Sequence, residues 1–113
     1  MRTISIAKDF SPTPGGRFNR DGPFSGEAFR TRFLEPAIDA GELVVVDLDH
    51  VAGLPSSFLE EAWGGLFRTR KGLTPEIVLK RIQVHTTEPD LQSYKGLIKR
   101  YVVEAAKHAS IRA

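Results

Sequence analysis

The stretch ELVVVDLDH (42–50) contains the longest uninterrupted apolar run of the chain, Leu43 to Val46. Three of these four residues are β-branched, and no polar residue alternates with them. A short run of that kind is typical of a strand covered on both faces, and it predicts a central strand of a sheet. The segment that follows, PSSFLEEAWGGL (55–66), continues the pattern at another period. Leu59, Ala62, Trp63, Leu66 and Phe67 recur at i, i+3, i+4, i+7 and i+8, which marks an amphipathic helix packing back on the sheet with Trp63 as its anchor. Gly64 and Gly65 each cost a helix interior about 1 kcal/mol relative to Ala, so they predict either a close helix-to-sheet contact or an early helix end.

Toward the N-terminus, residues 3–7 alternate with Ile4 and Ile6 on one side and predict a half-buried first strand. FSPTPGGRFNRDGPF (10–24) is dense in Pro, Gly, Asn and Asp and predicts a long loop or irregular hairpin, with Asp21-Gly22 as a turn and Phe18 as an anchor. Ser25 is placed to cap a helix in which Phe29, Phe33, Leu34, Ala37 and Ile38 form the inward stripe. Pro36 disfavours the helical state for Glu35 and lacks an N–H, so a kink or two short helices are expected before Gly41.

Toward the C-terminus, Thr74-Pro75-Glu76 combines a cap, a first-turn proline and an early acid, predicting a short helix to about Leu79. RIQVH (81–85) predicts a further strand. A final helix begins near Thr87 and Pro89, with Leu91, Tyr94, Ile98, Tyr101, Val102, Ala105 and Ala109 on one face and Lys95, Lys99 and Lys107 on the solvated side. Alternating strands and helices imply an α/β fold with an at least partly parallel sheet.

The 113 residues fit one domain spanning 1–113, with 41% hydrophobic and 27% charged residues, enough apolar material for a core without staples. The absence of cysteine removes disulfide and thiolate chemistry and fits a reducing cytoplasm. No apolar run approaches the ~20 residues that span a bilayer, so no membrane association is expected. A formal net charge of +2 without a basic run disfavours nucleic acid as a partner.

The two serines at the head of PSSFLEE raise the functional question. Ser57-Phe58-Leu59-Glu60 has the spacing of a capping box, which accounts for Ser57 structurally. Such a helix start beyond the carboxyl end of a parallel strand also offers free amides and an exposed crevice where an anion is stabilised. A phosphate on Ser56 or Ser57 would turn a neutral, apolar-rimmed surface anionic, which is a switch.

The segment VVVDLDHVAGLPSSFLEEAWGGL resembles the core signature of STAS domains, the anti-sigma-factor antagonist fold. There a strand ending in Asp leads through a short apolar turn to a helix starting with Asp and two hydroxyl residues. Asp47 matches the strand Asp, Val51 the turn, and Ser56 and Ser57 the paired hydroxyls. Together with PGGRFNRDGPFSGEAFR and the terminal helix, the whole chain resembles a bacterial STAS-like family of unknown function. The resemblance implies a STAS-like α/β sandwich with a small mixed sheet flanked by helices, and a non-enzymatic signal-transduction module that binds a protein partner. It further implies phosphorylation of Ser56 by a serine kinase with a histidine-kinase-like ATPase fold, leaving Ser57 as the cap. Pro55 stands where the motif has Asp, and Phe58 where it has Gly, which would put a bulky apolar group at the partner-facing corner. Pro55, Phe58, Asp49, Arg17 and Arg30 are the candidate partner-binding residues, the arginines because they could surround an acidic group.

Two other chemistries have candidate residues. A serine hydrolase would use Ser56 or Ser57 with His50 or His85 and Asp47 or Asp49, although no GxSxG elbow is present. A ligand-binding domain would use the strand-end crevice. His50, His85 and His108 are scattered and lack an i, i+4 partner, so no metal is expected, and neither PGG nor DG matches a nucleotide-binding loop, so no cofactor is expected.

Overall fold

The computed structural model describes residues 1–112, with the side chains of residues 1–110. Strand β1 (Arg2–Ser5) is followed by a π-helical turn, Ile6–Phe10, and a long connection. Helix α1 (26–40) leads to β2 (Val44–Asp47), α2 (56–69), α3 (Pro75–Arg81), β3 (Ile82–His85) and the terminal α4 (Gln92–Arg112). The strands form one sheet in the order β1-β2-β3, and both pairings are parallel. The expected mixed sheet is therefore corrected to an all-parallel one, because each strand pair is joined by a helical crossover and none by a hairpin.

Connections that step in one direction through the sheet, right-handed as such crossovers almost always are, place their helices on one face. The burial pattern agrees. Ile4 pairs with Val46 and Val44 with Ile82, and these four side chains are almost fully buried. On the opposite face the rows Thr3–Val45–Gln83 and Ser5–Asp47–His85 are exposed or half-buried. Strand β2 is central, as expected, but it is covered on one face rather than both, and Leu43 lies outside it at 46% exposure.

Helices α1 and α2 each contain a wide turn. Helix α1 passes from α-helical Gly26–Phe29 through π-helical Arg30–Leu34 to α-helical Glu35–Ala40. The Glu35 N–H donates to Arg30 O, and Glu35 keeps helical dihedrals, so the π turn accommodates Pro36 within a continuous helical backbone instead of a break. Ser25 caps this helix, its Oγ accepting from Ala28 N–H at 3.1 Å. Helix α2 has the same plan, with its π turn at Glu60–Gly64.

The glycines of α2 mark close approach rather than an early end, and the neighbours are helices rather than the sheet. A Cβ on Gly65 would collide with Arg30 Nη1, and one on Gly64 would stand 3.2 Å from Ala105 Cβ in α4. At the start of α1, a Cβ on Gly26 would collide with the main-chain oxygen of Phe58, so α1 and α2 meet backbone to backbone along their first turns. Around this crossing the rings of Phe10, Phe29, Phe33, Phe58 and Trp63 pack with centroid separations between 5.2 and 6.2 Å. Phe24, rather than Phe18, pins the long loop to this cluster through an edge contact with Phe10 at 5.4 Å. Phe18 instead carries the Arg20 guanidinium over its ring. Among the described residues no helix is long and apolar enough to cross a membrane.

Candidate functional site: the serine turn and its charged girdle

The turn between β2 and α2 begins at the carboxyl end of the central strand. Leu48 N–H continues the ladder to His85 O at 2.9 Å. Asp49 then leaves the strand and locks the neighbouring strand end. Its carboxylate accepts from the Thr86 hydroxyl, the Thr87 N–H at 2.8 Å and the Thr87 hydroxyl at 2.7 Å. Those donors, the Thr86 hydroxyl first, outweigh the small desolvation cost and lower the Asp49 pKa to about 2. Next to it, His50 adopts φ 76°, uncommon for a residue with a Cβ, and its N–H donates to the Glu88 carboxylate.

This latch predicts a pH dependence. The Asp49 pKa is depressed from 3.8, so its contribution to stability is fully present above 3.8 and is lost as pH falls through about 2. Asp49→Asn is expected to be less stable than wild type at neutral pH, with the gap closing as pH drops toward about 2. Urea titrations of both proteins along that pH series check it, and a gap that does not change with pH contradicts the latch.

Beyond the latch, Val51 and Leu54 turn inward, Ala52 N–H donates to Pro12 O at 2.8 Å, and Leu54 N–H donates to the Tyr94 hydroxyl at 3.3 Å. The long loop thus reaches the serine turn and is hydrogen-bonded to it. Helix α2 starts earlier than the capping box requires. Pro55 occupies the cap position with an extended backbone (φ −59°, ψ 146°), and its carbonyl accepts from Leu59 N–H at 3.1 Å. Ser57 is therefore inside the helix and caps nothing, which corrects the expectation made from its spacing to Glu60. Ser56 is exposed and Ser57 half-buried, and among the described residues neither hydroxyl is committed to a structural hydrogen bond.

Glu60 is drawn away from the helix start by arginines. It accepts from Arg17 and from both terminal nitrogens of Arg68, at 3.0 and 3.1 Å. Burial alone would raise its pKa, but the hydrogen bonds from Arg68 and Arg17 hold it below the usual carboxylate range. Glu61 meets Arg30 at 2.6 Å, Arg68 at 3.2 Å and Arg17 at 3.5 Å. Arg30 continues to Glu35 at 2.9 Å, and Glu35 is met by Arg70 at 3.4 Å, which also holds Asp39. A continuous girdle of alternating charge joins the loop, α1 and α2.

Three candidate partner-binding residues change character in this light. Phe58 is fully buried in the aromatic cluster, because the helix starts at Ser56 and rotates position 58 toward α1. Arg30 is buried at 5% exposure and spent on Glu35, Glu61 and the Glu61 carbonyl. Asp49 is occupied by Thr86 and Thr87. Pro55 remains exposed beside Ser56, and Arg17 is half-buried, facing the acids of α2. Among the described residues no hydrogen bond joins either serine to His50 or His85, and no cluster of ligating side chains could hold a metal. Sequence reasoning misses Glu60 and Glu61 as a paired anion, although two adjacent acids on a helix flanked by a stripe of apolar residues are a signal that partners are near.

A family model described as a STAS-like domain of unknown function matches residues 25–92, from the cap of α1 to the first residue of α4. Neither the curated proteins nor the solved structures provide a match. The matched span contains β2, the latch, both serines, most of the girdle and β3. It covers more than half of the sequence, and the chain belongs to the STAS-like domains of unknown function.

Proposed function

We propose that the chain is a non-enzymatic regulatory module whose serine turn meets a protein partner, and that Ser56 accepts a phosphoryl group from an ATPase-type serine kinase. The observation that carries this reading is the idle, exposed Ser56 hydroxyl at the head of α2. Side chains at helix starts ordinarily cap, yet Pro55 holds the cap position here and leaves both serines free. The turn that presents Ser56 is itself held firmly, by the Asp49 latch on one side and the Pro12 and Tyr94 hydrogen bonds on the other. A rigid turn with an exposed nucleophilic oxygen is a suitable substrate and a suitable recognition surface.

In the transfer, the Ser56 oxygen forms a bond to the γ-phosphorus of a nucleoside triphosphate as the bond to the β-phosphate bridging oxygen breaks. The nucleoside diphosphate leaves, and the hydroxyl proton passes to a base of the kinase or to solvent. The product carries about −1.5 to −2 charges beside Pro55, and a partner docked on the neutral surface meets repulsion and desolvation cost.

The test compares wild type, Ser56→Asp and Ser57→Ala, each recovered from the native host, with mass spectrometry of the chain and its bound proteins. Phosphate on wild-type Ser56, together with a kinase-like ATPase that binds wild type and leaves Ser56→Asp, is the expected result. Identical partners on all three and two unmodified serines would sink the reading.

A further inference from the structure

We infer that a phosphate on the serine turn takes Arg17 away from Glu60 and thereby carries the modification into the 11–24 loop; this rests on Ser56 being the phospho-acceptor. Ser56 precedes Glu60 by four residues in helical backbone, and Ser57 precedes Glu60 by three and Glu61 by four, so these side chains stand on one strip of α2. Arg17 approaches the same strip from the loop. Gly26 N–H donates to Gly16 O at 2.9 Å, and Gly26 lies against Phe58 O, which seats residues 16 and 17 beside the first turns of α2.

Of the cations on this strip, Arg17 is the one the girdle can release. Without it Glu60 keeps two hydrogen bonds from Arg68, and Glu61 keeps Arg30 at 2.6 Å and Arg68 at 3.2 Å. Arg30 has no such freedom, being buried and fixed by Glu35 and the Glu61 carbonyl. Arg68 sits eight residues beyond Glu60, on the side of the acids away from the serines.

A phosphomonoester at neutral pH brings nearly twice the charge of a carboxylate and three acceptor oxygens, and a guanidinium binds two of them at once. Placed one turn ahead of Glu60, it repels that carboxylate and offers Arg17 a stronger partner. Both sources of strain are relieved by one movement, the Arg17 side chain turning from Glu60 toward the phosphate. The loop responds locally, because Arg17 O accepts from Glu27 N–H at 3.0 Å and Pro12 O from Ala52 N–H at 2.8 Å, holding the main chain while the side chain swings. The tip around Arg20, exposed and held by the Asn19 N–H to Glu27 at 2.9 Å, is the neighbouring surface on which a partner would meet the turned Arg17 side chain.

The experiment installs phosphoserine at position 56 by peptide ligation, so its outcome does not depend on any kinase. Phosphorus NMR follows the second ionisation of the phosphate in the otherwise wild-type chain, in Arg17→Gln and in Glu60→Gln. Nitrogen-15 NMR follows the Arg17 Nε–H with and without the phosphate. The expected result is a phosphate that titrates roughly half a pH unit lower in the otherwise wild-type chain than in Arg17→Gln, and an Arg17 resonance that moves on phosphorylation. In Glu60→Gln, where the neighbouring carboxylate charge is gone and Arg17 keeps only Glu61 at 3.5 Å, the phosphate titration is expected to fall further. Equal titration with and without Arg17, and a stationary Arg17 resonance, would overturn the inference. Should Arg17→Gln not fold, the Arg17 resonance in the phosphorylated and unmodified wild-type chain decides by itself. Unmodified serines in the native host alongside a positive titration would remove the phospho-acceptor reading and leave the electrostatic coupling standing.

Discussion

Arg30→Met is expected to lower the free energy of unfolding by about 3 kcal/mol, the lower end of the range for breaking a buried ion pair. Methionine fills much the same volume but donates no hydrogen bond. The arginine it replaces is 5% exposed, and its guanidinium serves Glu35 through Nε at 2.9 Å and Glu61 through Nη1, both at the carboxylate (2.6 Å) and at the main-chain oxygen (2.8 Å). Its loss leaves the Glu61 carboxylate, 6% exposed, with an incomplete set of donors in a region where charge is poorly solvated. The cost stays at the lower end because Arg68 and Arg17 still stand 3.2 and 3.5 Å from the other Glu61 oxygen. The double variant Arg30→Met/Glu61→Leu is expected to recover a large part of the loss, since exchanging a buried pair for apolar groups is often neutral or better. Urea unfolding of the three proteins measures both effects. A single-variant loss under about 1 kcal/mol would place the pair in the class of solvent-screened surface bridges and contradict its burial.

Trp63→Ala is expected to cost about 3–5 kcal/mol, the usual range for deleting a large buried aromatic. Trp63 is fully buried at the π turn of α2, its ring 5.9 Å from that of Phe29. Among the described residues its buried indole Nε1–H also has no acceptor. An unpartnered buried donor costs about 1–3 kcal/mol, and phenylalanine removes that donor while keeping most of the ring. Trp63→Phe is therefore expected to cost far less than the loss of ring volume alone implies. Denaturant midpoints for the two variants test this, and a Trp63→Phe loss close to that of Trp63→Ala would mean that Nε1 is hydrogen-bonded in solution, with a buried water as the obvious acceptor.

These two side chains show where sequence reading succeeds and where it stops. Trp63 is legible because its inward orientation follows from the spacing of Leu59, Ala62, Leu66 and Phe67, all within one helix. Local pattern of the same kind, an apolar run for β2, alternation for β3 and helical spacing for α4, locates these elements, and Ile98, Val102 and Ala105 of α4 are all nearly or fully buried. Arg30 reads as a surface cation because its partner Glu61 lies 31 residues away, and no local pattern links them. The family-level features of the serine turn are equally legible, since the quoted motif falls inside the matched region. Its hydrogen bonding is not. Ser57-Phe58-Leu59-Glu60 has the right spacing for a capping box, but the spacing does not reveal that Pro55 takes the cap or that Glu60 is claimed by Arg17 and Arg68.

Local sequence is thus sufficient for the alternation of strands and helices, the central place of β2, the inward faces of the helices and the STAS-like family, because hydrophobic periodicity and short motifs are properties of neighbouring residues. Docking of distant segments settles the rest: a wholly parallel sheet with one open face, the burial of Phe58 and Arg30, and serine hydroxyls left free while Glu60 and Glu61 join the girdle. The sheet depends on how the crossovers dock its strands and the others on how α1, α2 and the loop pack against one another, and the energies that choose among packings come from contacts between residues far apart in the chain.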